Sequence, residues 1–169
     1  MSTEPPLLIG ADDAGIDLLE VIVRDLTERG VAVEAIRPGD LEPAPTRDGS
    51  GEDGAIDYPD VAERVAIAIR DGHAERGILI CGTGIGMAIA ANKVPGVRAA
   101  LAHDVYSAER ARKSNNAQIL TLGARVIGPE SAKTVVHAWL ESEFAGGAST
   151  RKVQKIDDLE RRLTEPAAS

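Results

Sequence analysis

A doubly wound α/β fold, with helices packed on both faces of a parallel sheet, is predicted for this chain by two observations. Short apolar runs bounded by turn residues alternate with stretches of helical period from Leu7 to Leu140, the pattern of strand, crossover helix, strand. The chain of 169 residues fits one ordinary domain with a full core, and its single Trp, two Tyr and single Phe leave that core to Val, Ile, Leu and Ala.

The elements follow in order. Leu7-Leu8-Ile9-Gly10-Ala11 is a short buried strand, and Asp12-Asp13-Ala14-Gly15 turns the chain. Leu18, Leu19, Ile22, Val23 and Leu26 mark one face of a helix that stops at Gly30, and Val31 to Ile36 is the second strand. At least one of the adjacent carboxylates is expected to cap the helix, leaving the other to meet a ligand's hydroxyls. Residues 37–56, rich in Pro, Gly, Asp and Glu, form a loop, with disorder expected from Thr46 to Asp53. Asp57-Tyr58-Pro59-Asp60 opens a helix with Val61, Val65, Ala66 and Ile69 inward, which holds Tyr58 at its entrance, over a substrate or as a staple.

Gly77 to Ile80 is the third strand. Val97 to Ala102 is the fourth, His103-Asp104 begins a helix reaching about Lys113, and Ser114-Asn115-Asn116 turns into the fifth strand, Gln118 to Leu122. Pro129 opens a helix with Val135, Val136, Trp139 and Leu140 inward. After Gly146-Gly147 a last helix, residues 150–164, carries a narrow stripe of Val153, Ile156, Leu159 and Leu163, suited to packing on a second subunit or back on its own domain. Residues 165–169 read as a tail, so the whole of 1–169 reads as one domain.

Composition excludes several classes. A net charge of −8 argues against nucleic acid as a partner, and a small anionic substrate would need local basic groups. One cysteine rules out an internal disulfide framework, and the dispersed histidines do not make a metal finger. Met1 to Pro6 lacks a basic, hydrophobic leader and no apolar run approaches membrane-spanning length, so the cytoplasm is the expected compartment.

The chemistry centres on Cys81-Gly82-Thr83-Gly84-Ile85-Gly86-Met87, which leaves the third strand and enters a helix. Three glycines at alternate positions keep side chains away and let backbone N–H groups converge at the helix start, where unpaired donors suit an anionic oxygen. Cys81 at the mouth of that cradle is placed to act as a base, since the helix terminus favours thiolate. The same residues also fit a small buried hydrophobe followed by a plain turn. A dinucleotide fingerprint would need Gly where Met87 stands, and no G-K-[ST] is present.

The stretch from Gly77 to Met87, with Ala90-Ala91-Asn92-Lys93 and Gly96-Val97-Arg98-Ala99, closely resembles the ribose-5-phosphate isomerase B family, which includes the galactose-6-phosphate isomerase subunits. Asp57-Tyr58-Pro59, Asn115-Asn116-Ala117 and Leu122-Gly123-Ala124-Arg125-Val126-Ile127-Gly128 support it, so the likeness runs from about Leu7 to Ile156. The resemblance implies a flavodoxin-like, Rossmann-type sheet of order 2-1-3-4-5, a homodimer, and aldose–ketose isomerisation of a sugar phosphate without metal or other cofactor. In that order the switch point lies between strands one and three, where Asp12 and Cys81 both emerge.

The family's chemistry maps onto particular positions. Cys81 would move the proton between C1 and C2, with the amides of Gly82, Gly84, Ile85 and Gly86 on the enediolate oxygens and Thr83 orienting thiol or oxygens. Asp12, Asp13 and Tyr58 would line the same side. Ser114 and Asn115 precede strand five, are expected at the far edge of the sheet, and would reach the site from a partner subunit.

Three departures bear on the substrate. The family commonly has Asp-His-Ala-Gly where Asp12-Asp13-Ala14-Gly15 stands, a ring-opening His where Ser114 stands, and an Arg-His pair with a further Arg where the chain reads Ala148-Ser149-Thr150-Arg151-Lys152. Arg125 is retained, and with Arg151 and Lys152 it can hold a phosphate.

Some family members acting on erythrulose phosphates are similar in their Asp-Asp-Ala-Gly and Ser-Asn features, and a tetrose 4-phosphate, its O4 esterified, has no furanose ring to open. A pentose phosphate substrate would require another acid, for which His103 is the candidate. Two readings of other classes stand beside this one. A non-catalytic sugar-phosphate binder is disfavoured by the retained thiol, and a nucleotide-binding module by the scarcity of aromatic residues.

Overall fold

The computed structural model describes residues 5–42 and 55–164. The expected disorder at Thr46 to Asp53 and the tail at 165–169 lie outside the described residues. Five parallel strands are present: β1 (Leu7–Ala11), β2 (Val33–Ile36), β3 (Gly77–Cys81), β4 (Ala99–Leu101) and β5 (Ile119–Gly123). Six α-helices accompany them: α1 (Ile16–Glu28), α2 (Tyr58–Arg70), α3 (Ile85–Ala91), α4 (Val105–Asn115), α5 (Pro129–Leu140) and α6 (Ala148–Thr164). A short 3-10 turn at Pro38–Asp40 interrupts the loop after β2.

The sheet order is β2-β1-β3-β5-β4, which corrects the expected 2-1-3-4-5 in its last two places. Burial explains the exchange. Ile119-Leu120-Thr121-Leu122-Gly123 is buried throughout and takes an interior position, whereas Ala99-Ala100-Leu101 is short and partly exposed and serves as an edge. The switch point between β1 and β3 is unchanged, because both strands keep their places.

Helices α1, α4 and α5 bury Leu19, Ile22, Ala108, Val136 and the fully enclosed Trp139 against one face of the sheet. On the other face α2 and α3 bury Val61, Val65, Ala66, Met87 and Ala91. Each buried Leu, Ile or Val contributes about 1.5–3 kcal/mol relative to exposure, enough to hold the strand ends in register. No described helix is long and apolar enough to cross a membrane.

Helix α6 divides the stripe read from its sequence. Val153 is buried against its own chain, while Ile156, Leu159 and Leu163 remain exposed. Asp157 accepts from Arg98 Nη1 at 2.8 Å and Glu160 Oε2 accepts from the Gly96 amide at 2.8 Å. Since both partners directly precede β4, these bonds hold α6 at the amino ends of the strands.

Candidate active site

The carboxyl ends of β1 and β3 form the centre of the site. The Asp12 amide donates to the Ile80 carbonyl at 3.2 Å, joining the two strand ends. Asp12 Oδ1 accepts the Gly15 amide at 3.1 Å and closes the turn into α1. The helix is capped by Gly15 with no side-chain bond, so the expected carboxylate cap is absent; the turn places both aspartates before the cap position. Burial raises the Asp12 carboxyl above its ordinary range, helped by the charge of Asp13 and opposed by the Gly15 and Ala14 amides and by Arg125. Asp13 stays exposed beside it.

Cys81 ends β3 with its sulfur buried and accepting the Gly84 amide at 3.1 Å. Gly84 has φ +78°, and a Cβ there would meet the Leu122 carbonyl and the Leu101 side chain, so glycine is needed for the loop to turn this tightly. Thr83 is exposed, its Oγ1 3.4 Å from the Ile85 amide, and Ile85 presents its side chain outward at the start of α3. The Tyr58 ring lies directly over Gly86, where a Cβ would come within 2.6 Å of it. Tyr58 is the first residue of α2, whose entrance is closed by Asp60 Oδ2 accepting from the Asp57 amide at 2.9 Å. Its half-exposed ring therefore forms a wall of the pocket.

The chain after β5 closes a third side. Ala124 N donates to Cys81 O at 2.9 Å and Arg125 N to Gly82 O at 3.0 Å, and the Arg125 guanidinium lies against Gly82 within electrostatic reach of Asp12. This brings one fixed positive charge to the mouth of an otherwise acidic molecule. His103, two residues beyond β4, is half-buried with Nε2 on the Gly123 amide at 2.8 Å. Gly123 belongs to the stretch that carries the family resemblance, but the sequence gives it no role at the site. Its position at the end of a buried strand, just before Arg125, was the available signal.

Ser114, Asn115, Arg151 and Lys152 are elsewhere. Ser114 and Asn115 are the last two residues of α4, not a free turn, and Asn116 caps that helix in the left-handed conformation at φ 49°. They do not lie at the far edge of the sheet, because β5 is next to β3. They lie at the opposite ends of the strands: Ile119 pairs with Gly77 and Gly123 with Cys81, a separation along the strand of about 13 Å at ~3.3 Å per residue. Arg151 and Lys152, in the first turns of α6, are exposed on the same end, where Ala145 N donates to Lys113 O at 3.0 Å. One chain thus gathers Asp12, Asp13, Tyr58, residues 81–86, His103 and Arg125, and leaves the other four apart.

A sulfur that accepts hydrogen bonds, beside a loop of backbone donors and a shielded carboxyl, equips this pocket to carry a proton past a developing oxyanion. Proton transfer beside a carbonyl, the step of an aldose–ketose isomerase, calls for parts of this kind. The model of the ribose/galactose isomerase family matches residues 7–156, and the chain belongs to that family of sugar-phosphate isomerases.

A D-erythrulose-4-phosphate isomerase of Pectobacterium atrosepticum is 54% identical over 156 residues, covering 92% of this chain and 95% of that protein. A ribose-5-P isomerase B of Listeria innocua is 44% identical over 156 residues, covering 92% and 97%. Among solved structures, ribose-5-phosphate isomerase B of Clostridium thermocellum superposes with a TM-score of 0.81 at 40% identity, covering 94% of this chain and 99% of that one.

Proposed function

We propose that this chain interconverts an aldose phosphate and its ketose through a cis-enediolate, with Cys81 as the base, and that its preferred substrate is a four-carbon sugar phosphate of the erythrulose type. The observation that carries the reaction is the Cys81 sulfur, shielded at the switch point and accepting the Gly84 amide. Cys81 removes the proton from the carbon beside the carbonyl and returns it to the former carbonyl carbon, while the hydroxyl proton passes from one oxygen of the enediolate to the other, so no electron acceptor is needed. The amides of the 82–86 loop other than that of Gly84, which the sulfur takes, hold the oxygens on which charge develops, and Thr83 orients them. Asp12 and Asp13 meet the sugar hydroxyls, Tyr58 covers the chain of carbons, and Arg125 draws the phosphate.

The remaining groups come from a second copy in a homodimer. Ser114, Asn115, Arg151 and Lys152 lie together at the amino ends of the strands and cannot reach Cys81 of their own chain. Exposed Ile156, Leu159 and Leu163 offer an apolar face for that association. A base that works as a free thiol also calls for a reducing compartment, in keeping with the cytoplasm.

The choice of substrate rests on Ser114. A serine offers no acid suited to opening a furanose near neutral pH, and a tetrose 4-phosphate has no such ring, so its absence costs nothing with the shorter sugar. The name of the 54% identical relative points the same way. A pentose phosphate is the second reading, favoured by the name of the 44% identical relative. Measurement of kcat/KM for D-erythrulose 4-phosphate, ribulose 5-phosphate and ribose 5-phosphate decides between them. The tetrose should lead; ribose 5-phosphate turnover at least equal to it would overturn the four-carbon assignment.

A further inference from the structure

His103 has so far been a candidate for meeting the substrate or for opening its ring, and its geometry gives it different work. Strand β4 stops at Leu101, and Ala102 N makes the last strand-like bond on that side, to Thr121 O at 3.3 Å. Backbone groups two residues apart on a strand point the same way, so the Gly123 amide also faces β4, beyond the point where β4 has ended. The His103 ring fills the gap, with Nε2 accepting that N–H at 2.8 Å. The ring proton is therefore assigned to Nδ1. Burial lowers the tendency of His103 to take a second proton, with the charge of Asp104 pulling the other way.

Gly123 is the floor of the pocket. It pairs with Cys81 in the β3–β5 register, and a Cβ placed on it would lie 2.6 Å from the carbonyl carbon and oxygen of Thr83. The position of Gly123 thus sets the height of the Thr83–Gly84 backbone, and through the Gly84 amide the position of the Cys81 sulfur.

We propose that His103 is a positioning residue of the isomerase described above: its imidazole anchors the Gly123 amide and so supports the loop that holds Cys81 and its oxyanion donors, and it gives no proton to the sugar. The inference rests on the isomerase reading for its kinetic consequence and on the His103–Gly123 bond alone for its structural one.

Two variants test it. In His103→Gln the side-chain oxygen can accept the Gly123 N–H but has no acid to offer; in His103→Leu the acceptor is gone. On erythrulose 4-phosphate His103→Gln should keep most of the wild-type kcat. His103→Leu should lose about ten-fold or more in kcat with KM little changed, as expected for a small displacement of the reacting groups. The same pattern should hold for any ring-forming pentose phosphate that the wild type turns over.

Equal losses in both variants, or a loss confined to ribose 5-phosphate, would overturn the proposal and make the ring an acid. A second readout does not need turnover. In 15N spectra of the wild type, the imidazole should show an unprotonated Nε2, and the amide signals of residues 82–84 should shift in His103→Leu but stay near their places in His103→Gln. A protonated Nε2, or unmoved loop amides in His103→Leu, would sink the anchoring role. A wild type inert on every sugar phosphate, with these spectra as expected, would instead refute the isomerase reading and leave the anchor standing.

Discussion

At the carboxyl ends of the strands, Asp12, Cys81 and Arg125 are tied to one another by backbone bonds between β1, β3 and the chain after β5, and the Tyr58 ring packs over Gly86. At the amino ends, Asn115, Arg151 and Lys152 are exposed to solvent, and Ser114 is only half-buried. Asn115 bonds only locally, its Nδ2 donating to Arg110 O at 3.1 Å. The first group has the character of a finished half-site, its backbone fixed by the strand ends and by α2. The second has the character of a surface awaiting a counterpart. The amino-end residues are nevertheless well supported from behind: Arg98, which bonds Asp157 of α6, also donates from Nε to Asn116 O at 3.3 Å. Arg151, Lys152 and Asn115 present their side chains to solvent while the backbone near Asn115 is braced, as an inserted element requires.

The largest effect that can break this comparison comes from the finished half. Cys81→Ala should lower kcat by a factor of about 10² or more, as expected for loss of a positioned base, with thermal unfolding and substrate affinity near those of the wild type. Near-normal turnover would move the base elsewhere, with Asp12 as the next candidate.

Mixing the two halves across subunits sharpens it further. Cys81→Ala and Asn115→Ala proteins, each inactive alone, should regain activity after their subunits exchange. Random pairing makes half the dimers mixed, each with one intact site of two, so recovery should approach about a quarter of the wild-type sites. Demonstrated exchange with no recovery would show that the site does not cross the interface.

The smallest effect concerns stability. Because burial raises the Asp12 carboxyl in the folded protein, ionised Asp12 opposes folding above the usual carboxylate range, and the penalty is relieved as the pH falls through its raised value. Asp12→Asn, which keeps an acceptor for the Gly15 amide, should therefore raise Tm at pH 7 and give little gain near pH 4, while KM rises. An equal Tm gain at both pH values would show that the carboxylate carries no such penalty.

Much of the fold was legible because its signals are local. The buried runs at Leu7 to Ala11 and Gly77 to Cys81, the caps around Asp57 and Pro129, and the glycines after Cys81 each act over a few residues, and strand and helix follow from hydrophobic period and turn chemistry. Cys81 and its loop were legible for the same reason, since thiol, glycines and amides are neighbours in sequence.

The order of β4 and β5 was not, because either strand can lie beside β3 without changing a local preference. Only competition for the buried position beside β3 decided it, and the longer strand, buried along its whole length, won. Nor could the sequence show Gly123 beneath Thr83, His103 behind Gly123, or Arg125 over Gly82, contacts that join residues 20 to 43 positions apart. The amino-acid sequence by itself determined which strands and helices form and which loop carries the thiol, because hydrophobic period and backbone preference are short-range. The tertiary structure alone decided which side chains meet across that loop and which four are left at the opposite ends of the strands, because close packing between distant segments depends on how the whole sheet is arranged.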